Sequence, residues 1–381
     1  MKLKTPKYRQ IYDRLSGDIA AGRYQAGQKF PSEAALVQRF GASRITVGHA
    51  IRELQQRGFV DRIAGSGTYV RRLKGGAREG LVFGLIIPNL GETEIFEPMC
   101  QAIAASGAAS SHALLWPHSD AHNLNKEEES LRLCRQCIAR KVAGVFFAPL
   151  ELSAESAAVN RRVMKLLKQA GIPVVLLDRR PDELPASERC DLVGIDNHRA
   201  GYLATEHLLE LGAKHIGFVA YEHQAPTVKE RIRGYKDALA AGRGNKREVF
   251  RFPVNSRLEI PAAVTDCDAF VCANDRVAGY LMHALIARGI RIPRDARIVG
   301  IDDVNYAALL PVPLTTVRQP CREIGEAALR LMLDRLENPK RPARDVLLDC
   351  TLVIRQSCGA TPTARSRGKH EARSALASHS T

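Results

Sequence analysis

The sequence predicts a small N-terminal α+β domain with one β-hairpin, followed by a larger α/β region of two lobes with parallel sheets. Three observations support this prediction. Residues 31–70 contain two short helical patterns and a glycine-tipped hairpin pattern. After residue 80, apolar strand-like runs alternate with helical segments, which is typical of parallel sheets covered on both faces. Positive charge is concentrated at the N-terminus, because residues 1–74 carry fifteen Lys and Arg against five Asp and Glu in a chain of net charge +15.

The N-terminal pattern consists of two helices joined by a tight turn. Pro31 and Ser32 are expected to start the first helix, since Ser is a good N-cap and Pro is tolerated at helix starts. Gly41 is expected to end this helix, and Ser43 to cap a second helix whose apolar residues at 47, 51 and 54 share one face. The exposed start of the second helix then carries two hydroxyls and the guanidinium of Arg44. These groups suit readout of the DNA major groove, and the local positive charge suits contact with phosphates.

The order of these residues closely resembles the GntR-type winged helix-turn-helix over about residues 7–71. The family pattern is a Pro-Ser-Glu helix start, a Phe-Gly-x-Ser-Arg-x-Thr-Val turn and recognition helix, and a Gly-x-Gly-Thr-Tyr-Val wing. All three are present, at residues 31–33, 40–47 and 65–70. The resemblance implies binding to a double-stranded DNA operator, with predicted contacts at Ser32, Glu33, Ser43, Arg44, Thr46, His49, Gly65, Ser66 and Gly67.

The sequence departs from this family pattern at two places. Gly48 and His49 stand where a basic or polar residue, often Arg, usually follows Thr-Val, and Ala34 stands where Arg often follows Pro-Ser-Glu. A Gly inside a helix costs about 1 kcal/mol relative to Ala. Gly48 therefore either permits a close approach to the DNA backbone or marks the loss of one base or phosphate contact.

The larger region is predicted from two interleaved sets of segments. The strand-and-helix rhythm runs twice, which indicates two similar lobes. The predicted strands are residues 81–87, 113–116, 142–147, 174–177, 192–195, 216–220, 269–272 and 298–301. The predicted helices are residues 127–140, 156–170, 200–211, 229–241, 277–288 and 321–336.

Several segments between residues 81 and 357 resemble the LacI/GalR-type effector domain, which has the two-lobed fold of periplasmic sugar-binding proteins. They include Val-Ala-Gly-Val at 142–145, Val-Gly-Ile-Asp-Asn at 193–197, Ala-Asn-Asp-Arg-Val-Ala at 273–278 and Val-Gly-Ile-Asp-Asp at 299–303. The usual helix-turn-helix and hinge helix of that family are replaced by the GntR-type module, a hybrid layout shared with a group of arabinose-responsive repressors. The resemblance implies a homodimer and a small-molecule site between the lobes.

Polar residues that follow the predicted strands are the candidates for this effector site, because open α/β sheets bind ligands at the carboxyl ends of their strands. The resemblance carries effector contacts onto Asp178, Arg231, Asn274, Asp302 and Gln319. Carboxylates paired with Arg and Asn suit the hydroxyls of a neutral sugar, whereas a phosphate requires several cations or a glycine nest. The full set of predicted effector contacts is Asn89, Glu94 and Phe96 in the loop after the first strand, with Asp178, Arg179, Arg231, Asn274, Asp302 and Gln319.

Several of these positions also have a purely structural interpretation. Asp275 is favoured as a helix N-cap rather than a ligand contact, and Asp196 and Asn197 suit a cap and a contact equally well. Phe96 suits either the core or a sugar-stacking face, and Trp116 is favoured as a packing residue.

The predicted domains are a winged helix-turn-helix at 1–72, a linker at 73–80, an effector-binding and dimerisation domain at 81–357, and a disordered tail at 358–381. No nucleophile elbow, P-loop or metal-ligand spacing accompanies the cleft residues, so neither an enzyme nor a cofactor nor a metal is expected. No secretory signal or membrane-spanning run is visible, which favours the cytoplasm. The expected function is a repressor of carbohydrate-use genes controlled by a small sugar, most simply a pentose such as arabinose. The alternative is a purine- or nucleoside-responsive regulator of the same architecture.

Overall fold

The computed structural model describes residues 7–20, 23–24, 27–56, 60–63, 66–70, 80–87, 94–108, 112–115, 125–151, 155–181, 189–222, 225–242, 248–252, 264 and 266–360. Among the predictions, Gly65, Asn89, Trp116, most of the linker and the tail beyond residue 360 lie outside these ranges. The chain divides into two compact units, Met1–Arg78 and Glu79–Thr381.

The first unit is a winged helix-turn-helix, as predicted. It comprises the helices α1 (Lys7–Ala20), α2 (Glu33–Phe40) and α3 (Arg44–Gln56), and the antiparallel hairpin of β1 (Val60–Ile63) and β2 (Gly67–Val70). The helix boundaries follow from local chemistry. Ser32 Oγ accepts the Ala35 N–H at 3.2 Å, Gly41 ends α2 with φ 53°, and Ser43 Oγ accepts the Thr46 N–H at 3.2 Å. The predicted apolar face of α3 is buried against α1 and α2.

The first lobe of the second unit contains an entirely parallel six-stranded sheet in the order β4-β3-β5-β6-β7-β13. Helices α4 and α10 pack together beside this sheet, and α5 packs against α6. The strands are β3 (Val82–Ile86), β4 (Ala113–Leu115), β5 (Gly144–Phe147), β6 (Val174–Leu177), β7 (Asp191–Ile195) and β13 (Asp345–Leu348). The helices are α4 (Phe96–Ala108), α5 (Lys126–Ala139), α6 (Ser156–Gln169) and α10 (Cys321–Glu337).

The second lobe contains a six-stranded sheet in the order β9-β8-β10-β11-β12-β14. Alternate residues of its central strands face opposite sides: Ala269 and Val271 pack in the core that includes α7 and α8, whereas Phe270 and Cys272 pack in the core that includes α9. The strands are β8 (Ile216–Tyr221), β9 (Glu248–Phe252), β10 (Ala269–Cys272), β11 (Arg297–Asp302), β12 (Thr315–Arg318) and β14 (Thr351–Val353). The helices are α7 (Asn197–Glu210), α8 (Pro226–Ala241), α9 (Asp275–Ala287) and the 3-10 helix Asn305–Ala308.

The chain passes between the lobes at three places: from β7 into α7, from β12 into α10, and from β13 to β14. Asp178 after β6 and Asp302 at the end of β11 both have positive φ, 69° and 129°. Residues other than glycine rarely adopt a positive φ, and such backbone strain often occurs at binding sites.

The structure corrects the predicted elements in two ways. The sheets are not purely parallel, because β14 pairs antiparallel with β12 at the edge. Elements β9, β12, β13, β14, α1 and α4 were not among the predicted segments. Strands β9, β13 and β14 lie at sheet edges and are only partly buried, unlike the fully buried central strands that continuous apolar runs predict. The sequence of α4 contains Pro98 and Gly107, which weaken a helical pattern.

Candidate functional site

The start of α3 presents the predicted DNA-reading residues. Ser43 Oγ and Thr46 Oγ1 lie 2.8 Å apart, so the two hydroxyls hydrogen-bond to each other while Ser43 caps the helix. Arg44, the first residue of α3, is exposed. The guanidinium is therefore the long, charged group at this helix start, and the hydroxyls fix the local geometry around it.

Three of the remaining predicted DNA contacts of this unit, His49, Ser66 and Gly67, also have structural roles that the sequence did not indicate. The ring of His49 stacks on the ring of Tyr8 from α1, with centroids 4.2 Å apart and an interplanar angle of 22°. Ser66 Oγ lies 2.8 Å from Tyr69 Oη across the wing. Gly67 has φ 126°, a backbone conformation that favours glycine, whereas the nearest atom to a Cβ there is Lys29 Cε at 2.9 Å, the flexible end of a side chain that can move aside. Ser32 is exposed and Glu33 is half-buried at the start of α2.

Three arginines of this unit pair with an acidic residue of the same unit. Asp18 on α1 is almost completely buried and faces three arginines: Arg39 at 2.8 Å, Arg23 at 3.4 Å and Arg14 at 3.8 Å. By contrast, Arg52 on α3 is exposed and lies two turns after Arg44 on the same side of the helix. Arg52 is a candidate DNA contact that the sequence reasoning missed, although the spacing of eight residues could have indicated it.

In the second unit, Arg231 of α8 forms the centre of a buried polar cluster at the cleft between the lobes. Its Nε donates to Asn197 Oδ1 at 2.8 Å, its Nη1 donates to the Ala273 carbonyl at 2.6 Å, and its Nη2 donates to Asp302 Oδ1 at 3.4 Å. Gln319 Nε2 donates to the same Asp302 oxygen at 2.7 Å. Three of the predicted effector residues therefore contact one another, and they come from α8, β11 and the segment after β12.

The first lobe contributes a second charged pair to the cleft. Arg179 Nη1 donates to Asp178 Oδ2 at 2.6 Å, Arg179 Nε donates to the Pro149 carbonyl at 2.9 Å, and its Nη2 lies 3.4 Å from Glu151 Oε1. The guanidinium also lies 5.6 Å from the ring centroid of Phe96. The prediction that Phe96 lies in a loop is wrong: it is the first residue of α4 and is buried in the hydrophobic core.

Two buried oxygen atoms of this cleft have no hydrogen-bond partner among the described residues, namely Asp178 Oδ1 and Gln319 Oε1. A carboxylate oxygen and an amide oxygen are both acceptors. Buried polar groups are normally paired, so these atoms indicate the chemistry of the missing partner. A ligand that pairs with these two atoms would donate hydrogen bonds to them.

The start of α9 differs from the prediction. Asn274, not Asp275, is the N-cap, because Asn274 Oδ1 accepts the Val277 N–H at 2.9 Å. Asp275 is fully buried and accepts from Thr316 Oγ1 at 2.6 Å and from the Val304 N–H at 3.0 Å. The N-cap interpretation of Asp275 was wrong because both neighbouring residues have suitable side chains, and the backbone geometry selects the earlier one.

The start of α7 resolves the other ambiguous pair. Asp196 caps the helix, since its Oδ1 accepts the Arg199 N–H at 2.9 Å. Asn197 is buried and binds Arg231, as described above. Of the two interpretations that the sequence left open for this pair, Asp196 is therefore the cap and Asn197 belongs to the cleft cluster.

A pocket of about 170 Å³ lies where the two lobes meet. Its lining includes Glu94, Ile95 and Pro98 from the first lobe, and Asp302 and Asn305 from the second. Glu94 Oε2 accepts the Asn305 N–H at 3.0 Å, so this predicted ligand residue also bridges the lobes.

Burial changes the acidity of two carboxyl groups here. Burial raises the pKa of Asp302 to about 6, although Arg231 and the hydrogen bond from Gln319 oppose the rise. Burial and the charge of Asp302 raise the pKa of Asp275 to about 7, although its hydrogen bonds oppose the rise. Within the described ranges, no group of three or more His, Cys, Asp or Glu side chains is arranged to hold a metal ion.

Comparison with known proteins places both units. Residues 7–70 match the gntR family of bacterial regulatory proteins, and residues 205–358 match a periplasmic binding protein-like domain. An arabinose metabolism transcriptional repressor of Geobacillus stearothermophilus is 27% identical over 94% of this chain and 99% of its own length. The HTH-type transcriptional regulator MalR of Streptomyces coelicolor is 29% identical over 76% of this chain and 83% of its own.

A solved structure agrees with the architecture of the second unit. A LacI family transcriptional regulator from Enterococcus faecium with bound ribose superposes with a TM-score of 0.59 and 26% identity, over 72% of this chain and 98% of that one. The chain thus joins a region that matches the gntR family of bacterial regulatory proteins to a region that matches a periplasmic binding protein-like domain.

Proposed function

We propose that this chain is a cytoplasmic, homodimeric repressor of carbohydrate-use genes. Its winged helix-turn-helix binds a DNA operator, and a small neutral sugar in the cleft changes the operator affinity. A ligand that binds one arrangement of the lobes better than another shifts the population toward that arrangement, and this coupling is reciprocal with DNA binding. No enzymatic step is part of the proposal.

The observation that carries the sugar assignment is the pair of unpartnered buried acceptors, Asp178 Oδ1 and Gln319 Oε1. Sugar hydroxyls donate to such atoms and also accept from Arg231. A fully ionised phosphate group only accepts hydrogen bonds, so a phosphate placed against these two atoms would leave them unpaired and add negative charge beside Asp178 and Asp302. The relative named for arabinose metabolism and the solved structure with bound ribose support a pentose.

The cleft assignment is tested by calorimetry of the full chain with arabinose, ribose, a pentose phosphate and adenine. We expect arabinose or ribose to bind and the phosphate not to bind. Tight binding of adenine would instead favour the purine-responsive alternative, and tight binding of the pentose phosphate would contradict the neutral-sugar assignment.

The DNA assignment is tested by selecting duplexes from a random library with the full chain and titrating the selected duplex. Arg44→Ala should weaken binding by about 1–3 kcal/mol if the guanidinium reads a base. Binding should also fall steeply with salt, because phosphate contacts release counterions. Equal affinity of Arg44→Ala and wild type, or a flat salt response, would contradict this role.

A further inference from the structure

Gly48 lies inside α3, and nothing in the described part of its domain requires a glycine there. Its backbone is helical and its φ is not positive, so any residue fits the conformation. A Cβ built on Gly48 meets no described atom within 4 Å. Since glycine in the middle of a helix is disfavoured relative to alanine, the fold of this domain alone gives no reason for it.

Gly48 is half-buried and lies between two exposed arginines along α3. Arg44 precedes it by four residues and Arg52 follows it by four, so the three positions form one stripe along the helix. The rise per residue separates the two arginine Cα atoms by about 12 Å along the axis. Val47 and Ile51, which lie beside this stripe, are buried, whereas Arg44 and Arg52 are exposed, so the stripe runs along the border between the core and the solvent-facing side of α3.

We propose that Gly48 is the point where a DNA backbone sugar or phosphate packs directly against α3, between the DNA contacts made by Arg44 and Arg52. Glycine allows another backbone to approach more closely than any side chain permits. This inference rests on the proposed DNA-binding function. It selects the close approach over the alternative in which Gly48 marks only a lost side-chain contact.

The test compares Gly48→Ala and Gly48→Arg with wild type in the full chain, using a duplex selected by wild type from a random library. Gly48→Ala should slow amide exchange of α3 by roughly fivefold, because alanine favours the helix. It should nevertheless weaken duplex binding by about tenfold, because the added methyl group overfills the contact. Gly48→Arg should weaken binding further. Gln38→Ala on α2, which removes an exposed side chain, serves as the control and should bind like wild type.

Slower amide exchange together with weaker duplex binding distinguishes a DNA contact from a structural role. A merely structural change would stabilise the helix and strengthen binding together, or weaken both. Wild-type affinity in Gly48→Ala, or tighter binding by Gly48→Arg, would overturn the close approach and support a lost contact. If wild type selects no duplex, the DNA-binding proposal itself fails and this inference fails with it.

Discussion

Arg231 connects more parts of the cleft than any single carboxylate described above. It binds Asn197 at the start of α7, the Ala273 carbonyl after β10 and Asp302 at the end of β11. Because Arg231 and Asp302 are both buried, the loss of either leaves the other without its charged partner. The loss of either residue should therefore cost more free energy than the loss of one hydrogen bond.

Arg231→Ala should weaken sugar binding by roughly 2–5 kcal/mol, because its buried partners lose their donor. Operator binding without effector should be unchanged, and calorimetry together with gel-shift titration measures both quantities. Arg233→Ala is the matched control, since Arg233 is an exposed arginine on the same helix, paired with Glu230. Wild-type sugar affinity in Arg231→Ala would remove this residue from the site.

Asp302 also predicts a pH dependence. Its pKa is about 6 in the fold, where burial raises it and the nearby Asp178 and Glu151 charges add to the rise. An Asp in an unfolded chain has a pKa of about 3.9. The folded form therefore binds the proton more tightly, so ligand-free stability is highest below about pH 4 for this group and declines as pH rises through about 6.

The size of this contribution is about 2–3 kcal/mol between pH 4 and pH 7. Asp302→Asn keeps a carbonyl oxygen for the Gln319 donor and removes the titration. Its unfolding free energy, measured by urea titration across this pH range, should depend less on pH than that of wild type. Parallel profiles for the two proteins would show that Asp302 does not titrate there.

At the scale of elements, α10 attaches the late strand β13 to the first lobe. Arg335 of α10 donates from Nε and Nη2 to the two oxygens of Asp191 on β7, at 2.9 and 3.0 Å, and Asp191 also accepts the Arg344 N–H at 2.8 Å. Asp191 is fully buried. The Asp191 carboxylate thus holds both α10 and Arg344, the residue before β13, to the start of β7.

Arg335→Ala should lower the free energy of unfolding by about 3–5 kcal/mol, because it leaves the buried Asp191 charge uncompensated. Arg330→Ala, on the same helix, should change stability by less than about 1 kcal/mol, since Arg330 is exposed and lies 3.9 Å from Glu326. Urea unfolding of the full chain measures both. A similar small loss in the two variants would show that the Asp191 pair is not structurally important.

At the scale of the whole molecule, the three crossings between the lobes allow the lobes to move relative to each other about a few short segments. Gln319 lies directly after β12 at one crossing, so an effector that pairs with its free oxygen contacts the segment joining the lobes.

Among the residues that the structure describes, none of the helices has the length and hydropathy of a membrane span.

The effector domain is expected to carry the dimer contact. A two-fold dimer places two winged helices on two half-sites, because one such domain offers only a small interface with DNA. Residues 81–357 expressed alone should therefore sediment as a dimer at micromolar concentration. A monomer under these conditions would place the dimer contact elsewhere in the chain or remove it.

The sequence by itself determined the two folds and many of the helix boundaries. Ser32, Gly41 and Ser43 act within one turn of their own positions, so their roles could be predicted without knowing the rest of the chain. The central strands were predicted for a similar reason, because strands buried on both faces are continuous apolar runs. The polar residues after those strands were also identified, because the carboxyl ends of parallel strands define where ligands bind.

Only the tertiary structure decided which of these polar residues cap helices and which are buried against other side chains. Asn274 and Asp275 are adjacent and chemically similar, yet one caps α9 and the other is buried against Thr316 and Val304. The strand β13 lies beside β7, which precedes it by about 150 residues, and no local pattern encodes that pairing. The unpartnered oxygens of Asp178 and Gln319 likewise emerged only once both lobes were in place, because the absence of a partner depends on every neighbour in space and not on neighbours in sequence.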